Sequence, residues 1–175
     1  MKKNATPAIV LFLLCAAYLI FIFVSAPLLP ERMATHFGGN GEPNGWMNRS
    51  TDLIFMGTLG AGLPLLFVVL SLVIGLMPTQ FVNLPHRDYW LSPERRTQTR
   101  AFISNQMIWM GCLTLIFLAG IHWLMIQANR ATPPHLPMVP FLILLGAFLA
   151  STMIWSIAFI YHFRKPPDPD FSNRR

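Results

Sequence analysis

Residues 7–29 read PAIVLFLLCAAYLIFIFVSAPLL, 23 positions without an Asp, Glu, Lys or Arg. About 20 apolar residues cover a bilayer core as a helix, so this stretch is long enough to span a membrane. Lys2 and Lys3 precede it, and Val24-Ser25-Ala26 has the look of a signal-peptide cleavage site. The apolar run is longer than a signal core, however, and Pro27 follows the would-be cut. Phe12-Leu13-Leu14 before Cys15 also lacks the small residue that precedes a lipidated cysteine. The stretch is therefore expected to be a retained span.

Three more charge-free windows follow at 53–77, 102–127 and 138–163, and the four are each 23 to 26 residues long. The chain has 175 residues, 54% of them hydrophobic and 11% charged, against about 25% charged in a soluble domain. What lies between the windows is too short for a second domain. The fold class expected is an all-α membrane protein of four transmembrane helices, forming one polytopic domain over 1–175, with 164–175 as a disordered tail.

Charge placement sets the expected orientation. With the N-terminus in the cytoplasm, Lys2, Lys3, Arg87, Arg95, Arg96, Arg100, Arg164, Lys165, Arg174 and Arg175 lie inside, and only Arg32, Arg49 and Arg130 outside. This follows the positive-inside rule, so both termini are expected to be cytoplasmic. The net charge of +6 is thereby accounted for by lipid, and a nucleic-acid partner is not expected. Cys15 and Cys112 fall inside spans and read as small buried residues.

Between the first two spans lies His36–Ser50, HFGGNGEPNGWMNRS. Gly38, Gly39, Gly41, Pro43 and Gly45 exclude a helix, so a shaped extracytoplasmic loop is expected, led in by a short extended piece at 31–37. Ser50 or Thr51 reads as the N-cap of the second helix, with Asp52 suited to its positive end. Within that helix, Gly57, Gly60 and Gly62 favour close packing, and Pro64 reads as a kink or a hinge. The inner loop, 78–100, carries Ser92-Pro93 as a helix start. Arg96 and Arg100 share a face toward headgroups, and Tyr89 and Trp90 suit the interface belt. Gly146 and Ala150 form a small-xxx-small pair in span four.

Pro30, His36-Phe37 and Gly41-Glu42-Pro43-Asn44-Gly45-Trp46 together resemble the signature of the domain of unknown function numbered 1648. The inner stretch of Asn83-Leu84-Pro85, His86, Asp88-Tyr89-Trp90-Leu91 and Glu94-Arg95-Arg96 resembles a recurrent cytoplasmic motif of the same proteins. The resemblance covers roughly residues 25–100. It implies kinship with SdpI-like bacterial membrane proteins, which include immunity factors against a secreted toxin. The family pattern more usually has Asp where Asn44 stands.

Asn40, Glu42 and Asn44 alternate before Gly45 as in a calcium loop, but Pro43 intrudes and the position where Glu is needed holds Thr51. His36, His122 and His135 with Glu42 could supply zinc ligands, though their spacing does not bring them together. No metal or other cofactor is expected. No base–nucleophile arrangement is evident, and the spans carry no carboxylate or lysine of an ion path. The expected function is non-catalytic recognition of an extracytoplasmic peptide or membrane-protein partner through His36, Glu42, Asn44, Gly45 and Trp46. The alternative is a small transporter or membrane-enzyme subunit using Glu42, Asp88 or Glu94.

Overall fold

The computed structural model describes residues 5–164; the tail expected at 164–175 lies outside them, except for Arg164. Four helices are long and apolar enough to cross a membrane. They are α1 (Thr6–Ser25), α2 (Arg49–Leu76), α4 (Arg96–Arg130) and α5 (Met138–Arg164), with the single turn α3 (Arg87–Trp90) between α2 and α4. The chain is an all-α membrane protein carrying one addition. Strands β1 (Arg32–Phe37) and β2 (Pro43–Asn48) form an antiparallel hairpin between α1 and α2.

The core lies where α1, α2 and α4 meet. Tyr18, Ile22, Met56, Leu115 and Leu118 form one buried cluster, and Leu29, Met33, Met125 and Ile126 continue it under the hairpin. Gly60 shows why α1 and α2 approach so closely. A Cβ there would sit 1.9 Å from the Tyr18 ring, whose hydroxyl donates to Met56 O at 3.1 Å. Gly57 and Gly62, also expected to pack, have nothing within 4 Å. At about 100° per residue Gly62 is turned about 160° away from Gly60, whereas Gly57 is turned by only about 60°, yet a Cβ there would still meet nothing. Pro64 is fully buried, and α2 runs unbroken across it.

Helix α5 is peripheral. Its only buried residue is Phe163, and it touches α4 along one face. Leu144 enters the space left by Gly120, Phe148 stacks on Phe117 at 4.3 Å, and Trp155 Nε1 donates to Gln106 Oε1 at 2.7 Å. The expected Gly146–Ala150 pair points elsewhere, since Gly146 meets no atom within 4 Å. The larger side chains form the contact instead.

Helix ends differ from expectation for local reasons. Helix α2 starts two or three residues early, at Arg49, with Asn48 in the N-cap position and no side-chain cap. Its start is set by the hairpin instead, because the Arg49 N–H donates to Glu31 O at 2.8 Å. Ser92-Pro93 forms a turn closed by Arg95 and Arg96 N–H donating to Ser92 O, and α4 begins at Arg96. Arg100 does not reach for headgroups. Its guanidinium donates to Gly75 O (2.9 Å) and Met77 O, satisfying carbonyls freed at the end of α2.

Candidate functional site

The sequence-singled residues fall into two groups at opposite ends of the bundle. Glu42, Asn44, Trp46 and Asn48 are exposed while the residues between them are half-buried, the two-residue alternation of a strand with one solvated face. His36 joins this face by donating from Nδ1–H to Asn44 Oδ1. Gly45 lies opposite His36 in the register, and a Cβ on it would meet His36 Cβ at 2.8 Å. His36, Asn44 and Trp46 thus share one surface. Glu42 sits at its rim, accepting from Asn40 Nδ2 at 2.6 Å. The oxygens of Asn40, Glu42 and Asn44 that could have faced a calcium ion each accept from an N–H group of the hairpin.

Three devices fix the hairpin to the helices. The carboxamide of Asn129, near the end of α4, takes both polar groups of Ala34. Ala34 N–H donates to Oδ1 at 2.7 Å, and Nδ2 donates to Ala34 O at 2.9 Å. A second Nδ2–H reaches Met125 O at 3.0 Å, so all of this amide's inward capacity is used. Arg49 Nη1 donates to Leu29 O at 2.8 Å, tying the hairpin's two feet together. At the tip, Gly41 adopts φ +83° and accepts from Leu136 N–H at 2.9 Å, docking on the α4–α5 connection. A Cβ at Gly41 would lie 2.8 Å from both His135 Nε2 and Leu136 O. The hairpin is therefore fastened to the helices at its feet, along β1 and at its tip. Beside it, a crevice of about 280 Å³ opens between Thr35–Gly39 and α4–α5, walled by Leu124, Met125 and Phe141.

Beneath the hairpin are polar groups that the sequence did not reveal as a set. His122, expected near the outer surface, is fully buried in α4 and lies 2.8 Å from Ser25 Oγ of α1. The Ser25 hydroxyl donates to Ile22 O, so Oγ accepts from His122 Nε2–H and Nδ1 is left bare. That nitrogen has no partner among the described residues, and neither does Oδ2 of Asp52, which is 2% exposed. Ser25 and His122 have the separation of a nucleophile and its base, but both are buried and, among the described residues, no hydrogen-bond partner on Nδ1 orients the ring. They act as a polar link between α1 and α4. Among the described residues no three His, Cys, Asp or Glu side chains come together; His36, His122 and His135 occupy three separate environments.

The inner group is built differently. His86 takes a left-handed conformation (φ 51°) and donates from Nε2–H to Arg164 O at 2.9 Å, anchoring the end of α5. Tyr89 and Trp90 do not sit in an interface belt. Tyr89 is 3% exposed under the Arg95 guanidinium, 4.2 Å from its ring centre. Trp90 stacks on His162 and meets Phe163 edge-on. Asp88 pairs with Arg87 at 3.5 Å, whereas Glu94 and Arg96 are exposed. This end reads as the clasp that holds α5 to α4. A shallow polar crevice of about 470 Å³ between Gln80–Leu84 and His86–Asp88 adjoins it.

Residues 13–60 match the family model described as Domain of unknown function (DUF1648). The matched segment runs from α1 through the hairpin to Gly60, and it contains the loop motif on which the resemblance was drawn. No curated protein and no solved structure matches the chain. The match covers 48 of the 175 residues and brings with it no activity.

Proposed function

We propose, taking a DUF1648 segment with a clamped, solvent-facing hairpin as the premise, that this protein recognises an extracytoplasmic peptide or partner protein without catalysing a reaction. The observation that carries the reading is the joint exposure of Trp46, Asn44 and His36 on a face whose backbone is fastened to α4. Exposed aromatics on rigid supports make good binding anchors, because little side-chain freedom is lost when the partner arrives. In this reading the termini are cytoplasmic, the hairpin faces outward from a bacterial inner membrane, and the role is of the immunity or signalling type of the SdpI-like proteins. Pro64, buried within α2, would serve as the hinge passing a signal to the inner clasp.

The test is protection against a peptide toxin, or crosslinking to a membrane partner, in cells carrying Trp46→Ala at unchanged expression. Loss of protection or crosslink supports recognition; full retention of both sinks it. Cysteine labelling at Asn44 and Gln98 checks the topology, and outside labelling at Gln98 overturns it.

A second reading, small-molecule or ion transport, draws on Asp52 and His122. Ionisable side chains with unsatisfied atoms inside a bundle are common marks of a transport path. Flux in proteoliposomes that vanishes with Asp52→Asn would favour transport over recognition.

A further inference from the structure

The two strands of the hairpin differ in what their backbones face. Ala34 sends both its N–H and its C=O to Asn129, hence away from β2. In an antiparallel ladder, such a residue sits in a non-hydrogen-bonded pair, and the residue opposite it also points outward. Ala34 stands opposite Trp46. The N–H and C=O of Trp46 therefore lie on the outer edge of β2. The other end of the ladder gives the same alternation. Arg49 N–H bonds Glu31 O, so Arg32 and Asn48 form a non-bonded pair, Met33 and Met47 a bonded one, and Ala34 and Trp46 a non-bonded one again. The strand period of two places the N–H of Asn48 on that outer edge as well. Among the described residues nothing bonds to this edge.

We propose that the outer edge of β2 is a docking strand for an extended peptide, which pairs with the backbone of Trp46 and lays a side chain against its ring. The proposal rests on the recognition reading and supplies its binding mode. Proteins blunt free sheet edges with lysine, proline, bulges or a covering element. Here Asn129 covers the edge of β1, one register irregularity lies in β1 at Thr35 and one in β2 at Asn44, and β2 carries proline only at its first position, so that Trp46–Asn48 is left as its uninterrupted, uncovered part. Charge indicates what fits. From Pro43 to Asn48 the strand is neutral, with the exposed carboxylate of Glu42 just before it. The complementary segment is a neutral strand with a basic group, or an amino terminus, at the Glu42 end. Strand addition of this kind takes affinity from the main chain and selectivity from alternate side chains.

The test uses the full chain in lipid nanodiscs, panned with a displayed library of random linear peptides. Enriched peptides are resynthesised and titrated against wild type, Trp46→Ala and Trp46→Pro. Both variants remove the ring, but only proline also removes the outward N–H, and an edge position tolerates it because β1 does not use that group. Trp46→Pro should weaken binding about ten-fold beyond Trp46→Ala, the worth of roughly one well-made hydrogen bond. N-methylation of the paired residue in the peptide, which leaves the protein untouched, should weaken wild-type binding by a similar factor. Equal losses for the two variants, with no effect of N-methylation, overturn edge pairing yet leave recognition through the ring standing. Absence of enrichment over empty nanodiscs also overturns it, while protection or crosslinking in cells judges the recognition reading separately. Spontaneous disulfide dimers of Trp46→Cys would assign the edge to a second copy and overturn the peptide as its occupant.

Discussion

Strand β1 is held from both sides and β2 from one. The first has β2 along one edge and Asn129 along the other, with Met33 and Ala34 completely buried. The second presents its polar groups and the Trp46 ring, 44% exposed, to the outside. A side chain 95 positions away in the sequence, supplied by α4, decides which strand belongs to the scaffold and which is available to a partner.

Amide exchange reads this difference directly. The Ala34 N–H should be among the slowest in the hairpin and the Trp46 N–H among the fastest; equal rates would contradict the ladder alternation derived above. Mutations then break the comparison in descending order. Asn129→Ala strands the buried N–H and C=O of Ala34, and each unsatisfied group costs about 1–3 kcal/mol. A loss of ~2–4 kcal/mol is expected, with proteolysis appearing first in the hairpin. Gly41→Ala places a Cβ against His135 and Leu136 in a left-handed conformation, a cost of about 1–3 kcal/mol, read as a lowered Tm in detergent. Gly39→Ala is its control, since nothing lies within 4 Å there, and it should be close to neutral. Arg49→Leu removes the bond to Leu29 O, worth about 1–2 kcal/mol for a charged donor, and should loosen the feet of the hairpin without freeing its tip. Trp46→Ala should change stability by less than about 0.5 kcal/mol while removing the proposed binding. A large stability loss there would mean that β2 is scaffold too.

The four spans were legible because a bilayer demands long charge-free runs, and each run lies within or nearly within one helix. Their ends were less so. Helix α4 extends from Arg96 to Arg130, about 52 Å at 1.5 Å per residue, well past the window at 102–127. The charge-free window reports only the part that can sit in lipid, whereas Thr97–Arg100 and Asn129–Arg130 remain helical in more polar surroundings. Strand β2, PNGWMN, holds no β-branched residue and reads as turn. It becomes a strand through pairing with β1, a long-range condition absent from local propensity. The exposed face of His36, Asn44 and Trp46 could be named from sequence because polar and aromatic residues stand out in a turn-rich run. Asn129, Ser25 and the capping role of Arg100 could not, as each acts on a backbone or ring brought near only by helix packing. The inner motif was noticed as a pattern, but its meaning came from His162 and Phe163, far along the chain.

The Asn129–Ala34 contact also sets a timetable for biosynthesis. Translation at about 5–20 residues per second separates the two residues by roughly 5–20 seconds, and Asn129 meets Ala34 only after α4 has been inserted. Until then the newborn hairpin has two open edges and is vulnerable to proteases and to stray strands. Completion of the third long helix closes one edge for good, so a surveillance protease that reads an unprotected β1 would be reading whether insertion has succeeded.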